Sequence, residues 1–244
     1  YAHKAEGDCK CGKTHGMAAA EVSHHSTTPA PAPRRFESLD HVLDHFQKNG
    51  AGSGKYQVQD YYKYQDAEGK DTLVVVRLEA PDGSKTFRQA SPAEGVDPGW
   101  LLTAKDWAKV PYQLPALSDA IREGKDIYIT EGEKDADAIR ATGGIATCNA
   151  MGAGKVLDDY IPYFHGAAHV TIIADDDEVG EKHARNWKAK LEGVALSVSI
   201  KRAAMGKDAH DALVTHGLDL EDAFRLPPSA IDTSRFIHVG AERY

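Results

Sequence analysis

Two short apolar runs in this chain end abruptly in carboxylates. Ile127-Tyr128-Ile129-Thr130 runs into Glu131-Gly132-Glu133-Lys134-Asp135, and Val170-Thr171-Ile172-Ile173-Ala174 runs into Asp175-Asp176-Asp177-Glu178. Each reads as a buried parallel strand whose C-terminal end carries acid. In open α/β sheets that edge is where ligands bind. Carboxylates gathered there repel one another unless a cation sits between them. The pattern therefore predicts a hard divalent cation, Mg2+ or Mn2+, and phosphate chemistry.

Residues two apart on an extended segment face the same side, so Asp175 and Asp177 converge while Asp176 points elsewhere. With Glu131 they make a three-carboxylate cluster across two strands. Acids at strand ends can also cap the helix that follows, a role that suits Asp135 and Glu178. Capping alone does not account for three consecutive aspartates directly after a buried strand.

The elements that must position these acids can be read in outline. From Pro115 onward strands alternate with helices. A short helix at 117–123 ends at Gly124, a strand spans 126–130 and a helix spans about 133–142. A strand follows near 145–148, a helix near 158–164, a strand over 169–174, a long helix over 178–191, a strand over 195–202 and a last helix near 209–216. This order implies a parallel sheet with right-handed crossovers. Upstream, Leu39, Val42, Leu43 and Phe46 recur at helical spacing between Ser38, a plausible N-cap, and Gly50, a stop. Three alternating segments, 56–65, 72–79 and 85–89, are separated by the turns Asp66-Ala67-Glu68-Gly69 and Ala80-Pro81-Asp82-Gly83. They read as a small antiparallel meander, to which Trp100 and Leu101 can add a fourth strand. Tyr61, Tyr62 and Tyr64 fit cross-strand packing better than base stacking, because no dense basic residues interleave with them.

The expected fold class is thus α/β: about four parallel strands flanked by helices over 115–226, preceded by a smaller α+β, antiparallel unit over 36–114. Residues 1–35 read as a flexible arm, ending in the Pro/Ala/Thr-rich stretch STTPAPAPRR. Residues 227–244 read as an irregular tail. Cys9, Cys11 and His15 suggest a degenerate zinc-binding remnant. One residue separates the cysteines, however, where structural zinc pairs are C-x₂₋₄-C, and no second pair follows. A first residue of Tyr rather than Met suggests a fragment or a processed product.

Bulk properties narrow the function classes. The chain has 244 residues, 41% of them hydrophobic, enough for one large domain or two small ones. Its formal net charge of −8 argues against coating nucleic acid by bulk electrostatics, yet allows a metal-dependent site acting on it. No apolar run is long enough for a membrane span, and no secretory h-region is visible. Three cysteines without framework spacing fit a reducing cytoplasm. Of these, Cys148 lies in an apolar strand and reads as core.

The loop Met151-Gly152-Ala153-Gly154-Lys155 invites a P-loop reading. Val156 stands where Ser or Thr is needed, and Asn149 where the first glycine is needed, so a Walker A is rejected. Two readings stay open for Gly152, Gly154 and Lys155: backbone N–H groups and an ammonium near a phosphate, or a glycine-rich turn. Lys134 and Lys207, beside the acids, either contact phosphate or balance charge. His210 reads as an exposed helix residue, since Mg2+ prefers oxygen.

A strand followed by Glu-Gly-x-x-Asp, then a later strand followed by Asp-x-Asp with Gly three residues on, resembles the Toprim signature. Here it reads EGEKD at 131–135 and DDDEVG at 175–180, within a resemblance covering about 115–220. That signature is shared by DNA primases, type IA and type II topoisomerases and some nucleases. EGEKDADA at 131–138, the MGAGK loop and Gly206-Lys207-Asp208-Ala209-His210-Asp211-Ala212-Leu213 resemble primases and primase–helicases of phages and mobile elements. The small β-rich unit upstream is similar to their N-terminal subdomain. The resemblance implies that Glu131, Asp175 and Asp177 bind Mg2+ or Mn2+, with Asp208 a fourth ligand, and that Glu131 is the base toward a 3′-hydroxyl. It implies synthesis of short RNA primers from nucleoside triphosphates on a single-stranded DNA template, with a replicative helicase as partner. The alternatives are a Toprim nuclease using water as nucleophile, or a non-catalytic nucleic-acid-binding module. A topoisomerase is the least favoured of these readings, because its strand-passage machinery and catalytic tyrosine domain do not fit this length.

Overall fold

The computed structural model describes residues 7–8, 14–15, 34–52, 54–93, 99–103, 107–152, 156 and 158–227. The chain separates into two compact units, Tyr1–Ala32 and Pro33–Tyr244. In the first, Gly7–Asp8 and Thr14–His15 pair antiparallel. Cys9, Cys11 and most of the expected arm lie outside the described residues, as does nearly all of the expected tail.

The second unit holds two five-stranded sheets. The first contains β1 (Arg35–Phe36), β2 (Gln57–Gln65), β3 (Asp71–Glu79), β4 (Lys85–Pro92) and β5 (Trp100–Leu101), in the order β1-β5-β4-β3-β2. All its pairings are antiparallel. Helix α1 (Leu39–Asn49) starts at Ser38, whose hydroxyl accepts the His41 N–H at 3.3 Å, and stops at Gly50 with φ 51°. Strand β3 explains the run of valines. Val74, Val76 and Leu78 pack with Val42 and Phe46 of α1 on one face, while Leu73 and Val75 enter a second core on the other. A strand covered on both faces needs a continuous apolar run.

That second core is shared with the second sheet, which contains β6 (Asp126–Ile129), β7 (Ile145–Thr147), β8 (His169–Ala174), β9 (Ser197–Ala203) and β10 (Phe224–Arg225), in the order β10-β9-β8-β6-β7. Tyr62, Tyr64, Leu73 and Val75 pack in one cluster with Ile127, Ile129, Ile139 and Cys148. The composition shift at 114–115 therefore does not mark a break in the core. Strands β7, β6, β8 and β9 are parallel, as expected. The antiparallel edge strand β10 is an addition to the sequence reading.

Helices α2 (Leu114–Arg122), α3 (Glu133–Ala141) and α4 (Glu178–Leu191) flank this sheet. Helix α2 begins three residues earlier than expected, with Pro115 in its first turn, where a missing N–H costs nothing. Residues Asp158–Phe164 form a 3₁₀ helix around Pro162 instead of an α-helix. Residues Asp211–Thr215 form a π-helical turn where an α-helix was expected.

One close approach fixes the acidic edge. A Cβ on Gly180 would lie 2.7 Å from Asp175 Cβ and 2.9 Å from its backbone nitrogen. Glycine three residues past Asp177 thus lets α4 seat directly on the end of β8. Gly180→Ala is expected to lower stability by about 1–2 kcal/mol, overpacking outweighing the better helix propensity. Urea unfolding monitored by circular dichroism measures it.

Candidate active site

Strand register brings the two acidic turns side by side. Ile129 pairs with Ile172. Glu131 follows two residues after β6 ends at Ile129, Asp175 follows directly on β8, and the two carboxylates lie within each other's field. The Glu131 turn is held by Thr130, whose hydroxyl donates to the Gly132 carbonyl at 2.9 Å and whose N–H donates to Thr147 O at 3.0 Å. Gly132 is the N-cap of α3, in extended backbone at φ −136°, and supplies no side-chain cap. A Cβ there would meet only Asp135 Oδ2, at 3.9 Å. The backbone does not demand glycine at this point; its absence of side chain leaves the approach to the carboxylates open.

Five carboxylates from three chain segments lie within one another's field. Burial pushes the Asp175 carboxyl up to about 8, with Asp135, Glu131, Asp208 and Asp177 all adding repulsion. Burial raises Asp135 to about 6, with Asp208 beside it. Glu131 is raised by burial and by Asp177, and is drawn back by Lys85. Asp135 also accepts the His210 backbone N–H at 2.9 Å, and Asp208 accepts that of Asp211 at 2.8 Å, so the 206–211 loop is tied into the same edge.

Asp176 is turned away, its carboxylate on Arg202 Nη1 at 2.9 Å, while Nη2 of the same guanidinium reaches Glu181 at 3.0 Å. Asp177 both joins the cluster and caps α4, accepting the Gly180 N–H at 2.7 Å. Capping thus falls to Asp177 and not to Glu178, and Asp135 faces the other acids instead of capping α3 with its side chain. A cap occupies one acceptor site of a carboxylate that offers several, so it is compatible with ligation.

The other sequence candidates sit at the rim. Lys134 is exposed and holds the Asp135 proton affinity down. Lys207 is exposed, with its ammonium 4.0 Å from Asp208. His210 is partly buried, not exposed, and its Nδ1 is buried without a hydrogen-bond partner. Asp208, His210 and Asp211 bring one potential ligand atom each to within 4.8 Å of one another. Gly152, at φ 69°, accepts a hydrogen bond from Asn149 Nδ2 at 3.0 Å. Gly154 and Lys155 lie outside the described residues. Cys148 is core, 1% exposed.

Three residues escaped the sequence reading of the site. Asp135 is one helical turn beyond Glu131, a spacing that returns a side chain to the same face, and that was the available signal. Lys85 comes from the other sheet and left no local signal. Glu133 is nearly buried and accepts a hydrogen bond from Tyr64, far away in sequence. The donor set around Asp175 is carboxylate oxygen, and its charges are poorly compensated, which fits a hard divalent cation of the Mg2+ or Mn2+ kind.

No protein-family model matches the chain, and no curated protein matches it. Among solved structures the chain is similar to the Escherichia coli primase catalytic core, with 16% identity, a TM-score of 0.48, and 75% of this chain and 61% of that one covered. It is similar to a DNA primase domain from Pseudomonas aeruginosa, with 18% identity, a TM-score of 0.43, and 79% and 64% covered. It is also similar to a DnaG primase catalytic domain bound to single-stranded DNA, with 16% identity, a TM-score of 0.48, and 76% and 62% covered. The chain spans about three fifths of the length of these structures. Among the described residues, no helix is long and apolar enough to cross a membrane.

The raised carboxyls link stability to pH. A group that binds its proton more tightly when folded stabilises the fold at low pH, and that contribution is lost as pH rises toward its folded value. Without divalent cation, Tm is expected to fall between about pH 4, the ordinary aspartate value, and about pH 8, the folded value of Asp175, with Asp135 contributing up to about pH 6. Added Mg2+ or Mn2+ restores it most at the alkaline end. Asp175→Asn flattens the pH slope and raises metal-free stability by about 1–2 kcal/mol. Differential scanning fluorimetry across pH, with and without cation, tests all three.

Proposed function

We propose that this chain is the catalytic region of a Toprim-class DNA primase of the phage and mobile-element type. It makes short RNA primers on single-stranded DNA by metal-dependent nucleotidyl transfer. One observation carries the reading: Glu131, Asp135, Asp175, Asp177 and Asp208 converge from three chain segments on the carboxyl edge of a parallel sheet. The order and spacing of the motifs that hold those residues support it.

In this reading Asp175, Asp177 and Asp208, with Glu131, hold Mg2+ or Mn2+, and Asp135 completes the oxygen set. When bound, the cation orients a triphosphate and neutralises the charge developing in an in-line displacement. Glu131 accepts the proton of the attacking 3′-hydroxyl. Its raised proton affinity makes it a better base than an exposed glutamate. Lys134 and Lys207 meet triphosphate oxygens from the rim, and the loop carrying Gly152, Gly154 and Lys155 contributes backbone N–H groups and a further ammonium. The template lies along the carboxylate edge, and a replicative helicase, fused or separate, delivers it.

Incubation with a single-stranded template, labelled ribonucleoside triphosphates and Mg2+ or Mn2+ tests the reading. Oligoribonucleotide products are expected, falling by roughly 100-fold or more in Glu131→Gln. Template degradation without synthesis identifies a nuclease instead. A mobility shift indifferent to Glu131→Gln and to chelator, without products, identifies a binding module.

A further inference from the structure

The antiparallel sheet and the carboxylate edge share a buried polar contact. Glu133 opens α3, two residues from both Glu131 and Asp135, and is 8% exposed. Its Oε1 accepts a hydrogen bond from the Tyr64 hydroxyl at 2.8 Å. Tyr64 belongs to β2 and is fully buried, its ring centroid 5.9 Å from that of Trp107 and 5.3 Å from that of Tyr112. Its hydroxyl also lies 3.7 Å from Cys148 Sγ.

Burying a carboxylate is costly, and an apolar residue of similar size fills space without that cost. The contact has to provide something packing does not. Apolar surfaces attract without direction, whereas a hydrogen bond fixes distance and angle. The side chains that pack on the Tyr64 ring, Trp107 and Tyr112 among them, hold it without fixing direction, and the Cys148 contact is long, so the 2.8 Å bond to Glu133 is the short directional link between the Tyr64 hydroxyl and the first turn of α3. On the same sheet β4 carries Lys85, within the field of Glu131, and Phe87, paired with Arg77 of β3 and 38% exposed. Any substrate between that face and the carboxylates depends on how the sheet is set against the turn.

We infer that Glu133 is a positioning residue, whose hydrogen bond with Tyr64 sets the antiparallel sheet against the Glu131–Asp135 turn and so fixes the substrate's distance from the carboxylates. This rests on the function proposed above for the word substrate, but the tie itself does not. Tyr64→Phe removes the donor and leaves the ring packing. Glu133→Gln keeps an acceptor for Tyr64. Tyr64→Phe combined with Glu133→Met replaces both polar partners by apolar groups, which restores stability without restoring direction.

The test measures primer synthesis, Mn2+ binding by calorimetry, Tm and amide hydrogen exchange on the full chain. Tyr64→Phe is expected to lower kcat roughly tenfold or more, with Mn2+ affinity unchanged and faster exchange in β2 and the first turn of α3. Glu133→Gln is expected to stay near the unmodified chain in both. The double variant is expected to regain Tm but not kcat. Recovery of kcat together with Tm in the double variant overturns the proposal, because a merely structural role predicts it. So does Glu133→Gln failing as Tyr64→Phe does. If the unmodified chain makes no primers, the proposed function fails. The tie is then judged by exchange alone, and unchanged protection of β2 and α3 in Tyr64→Phe overturns it.

Discussion

The constraint on which this structure depends is the mutual repulsion of carboxylates held at one edge of a sheet. Asp175 has Asp135, Glu131, Asp208 and Asp177 in its field and sits partly out of water. Left to themselves these groups would separate. The chain prevents that by anchoring each to something that cannot yield. Asp175 leaves a strand whose residues Ile172, Ile173 and Ala174 are all buried, and Glu131 leaves the neighbouring strand through a turn clamped by Thr130. Gly180 lets α4 press on Asp175 from behind. The apolar core is thus the source of the energy that holds like charges together.

The same logic explains why the antiparallel sheet is present. Its β3 strand is apolar on both faces, one covered by α1 and the other by the α/β sheet. A sheet sandwiched in this way cannot drift from the acidic edge without exposing Leu73, Val75, Tyr62 and Tyr64 to water. Lys85 and Arg77 are therefore held as a basic contribution opposite the acids, although the chain as a whole is acidic.

Much of this was legible in the sequence because it rests on local pattern. Buried parallel strands announce themselves as short apolar runs, so the ends at Glu131 and Asp175 could be located and even ordered. The strand period separated Asp176 from its neighbours, and in the structure it faces Arg202. What was not legible depends on phase or on distance along the chain. Asp135 read as a capping residue because an acid in the first turn of a helix is usually that; only the packed position of α3 reveals that it faces Asp175. Asp177 caps a helix and joins the cluster at once, and a sequence offers no way to assign two roles to one side chain. Glu133 was invisible because its partner, Tyr64, lies 69 residues away and charged residues are rarely buried. The edge strand β10 has two residues, too few to carry a period.

The remaining question is what balances the charge. The cations near the edge are largely committed or loosely held. Arg202 is spent on Asp176 and Glu181, the two acids at the margin of the cluster. Lys207 lies 4.0 Å from Asp208, its side chain 74% exposed, where solvent screens it. Lys134 and Lys85 are exposed as well. None is buried beside Asp175, whose carboxyl is pushed up to about 8 by burial first and by Asp135, Glu131, Asp208 and Asp177 after it. A protein whose sole need was stability could relieve the strain with one asparagine. Retaining aspartate there, next to Glu131 and Asp135, keeps oxygen ligands whose repulsion is relieved by a proton at low pH or by a cation from solution.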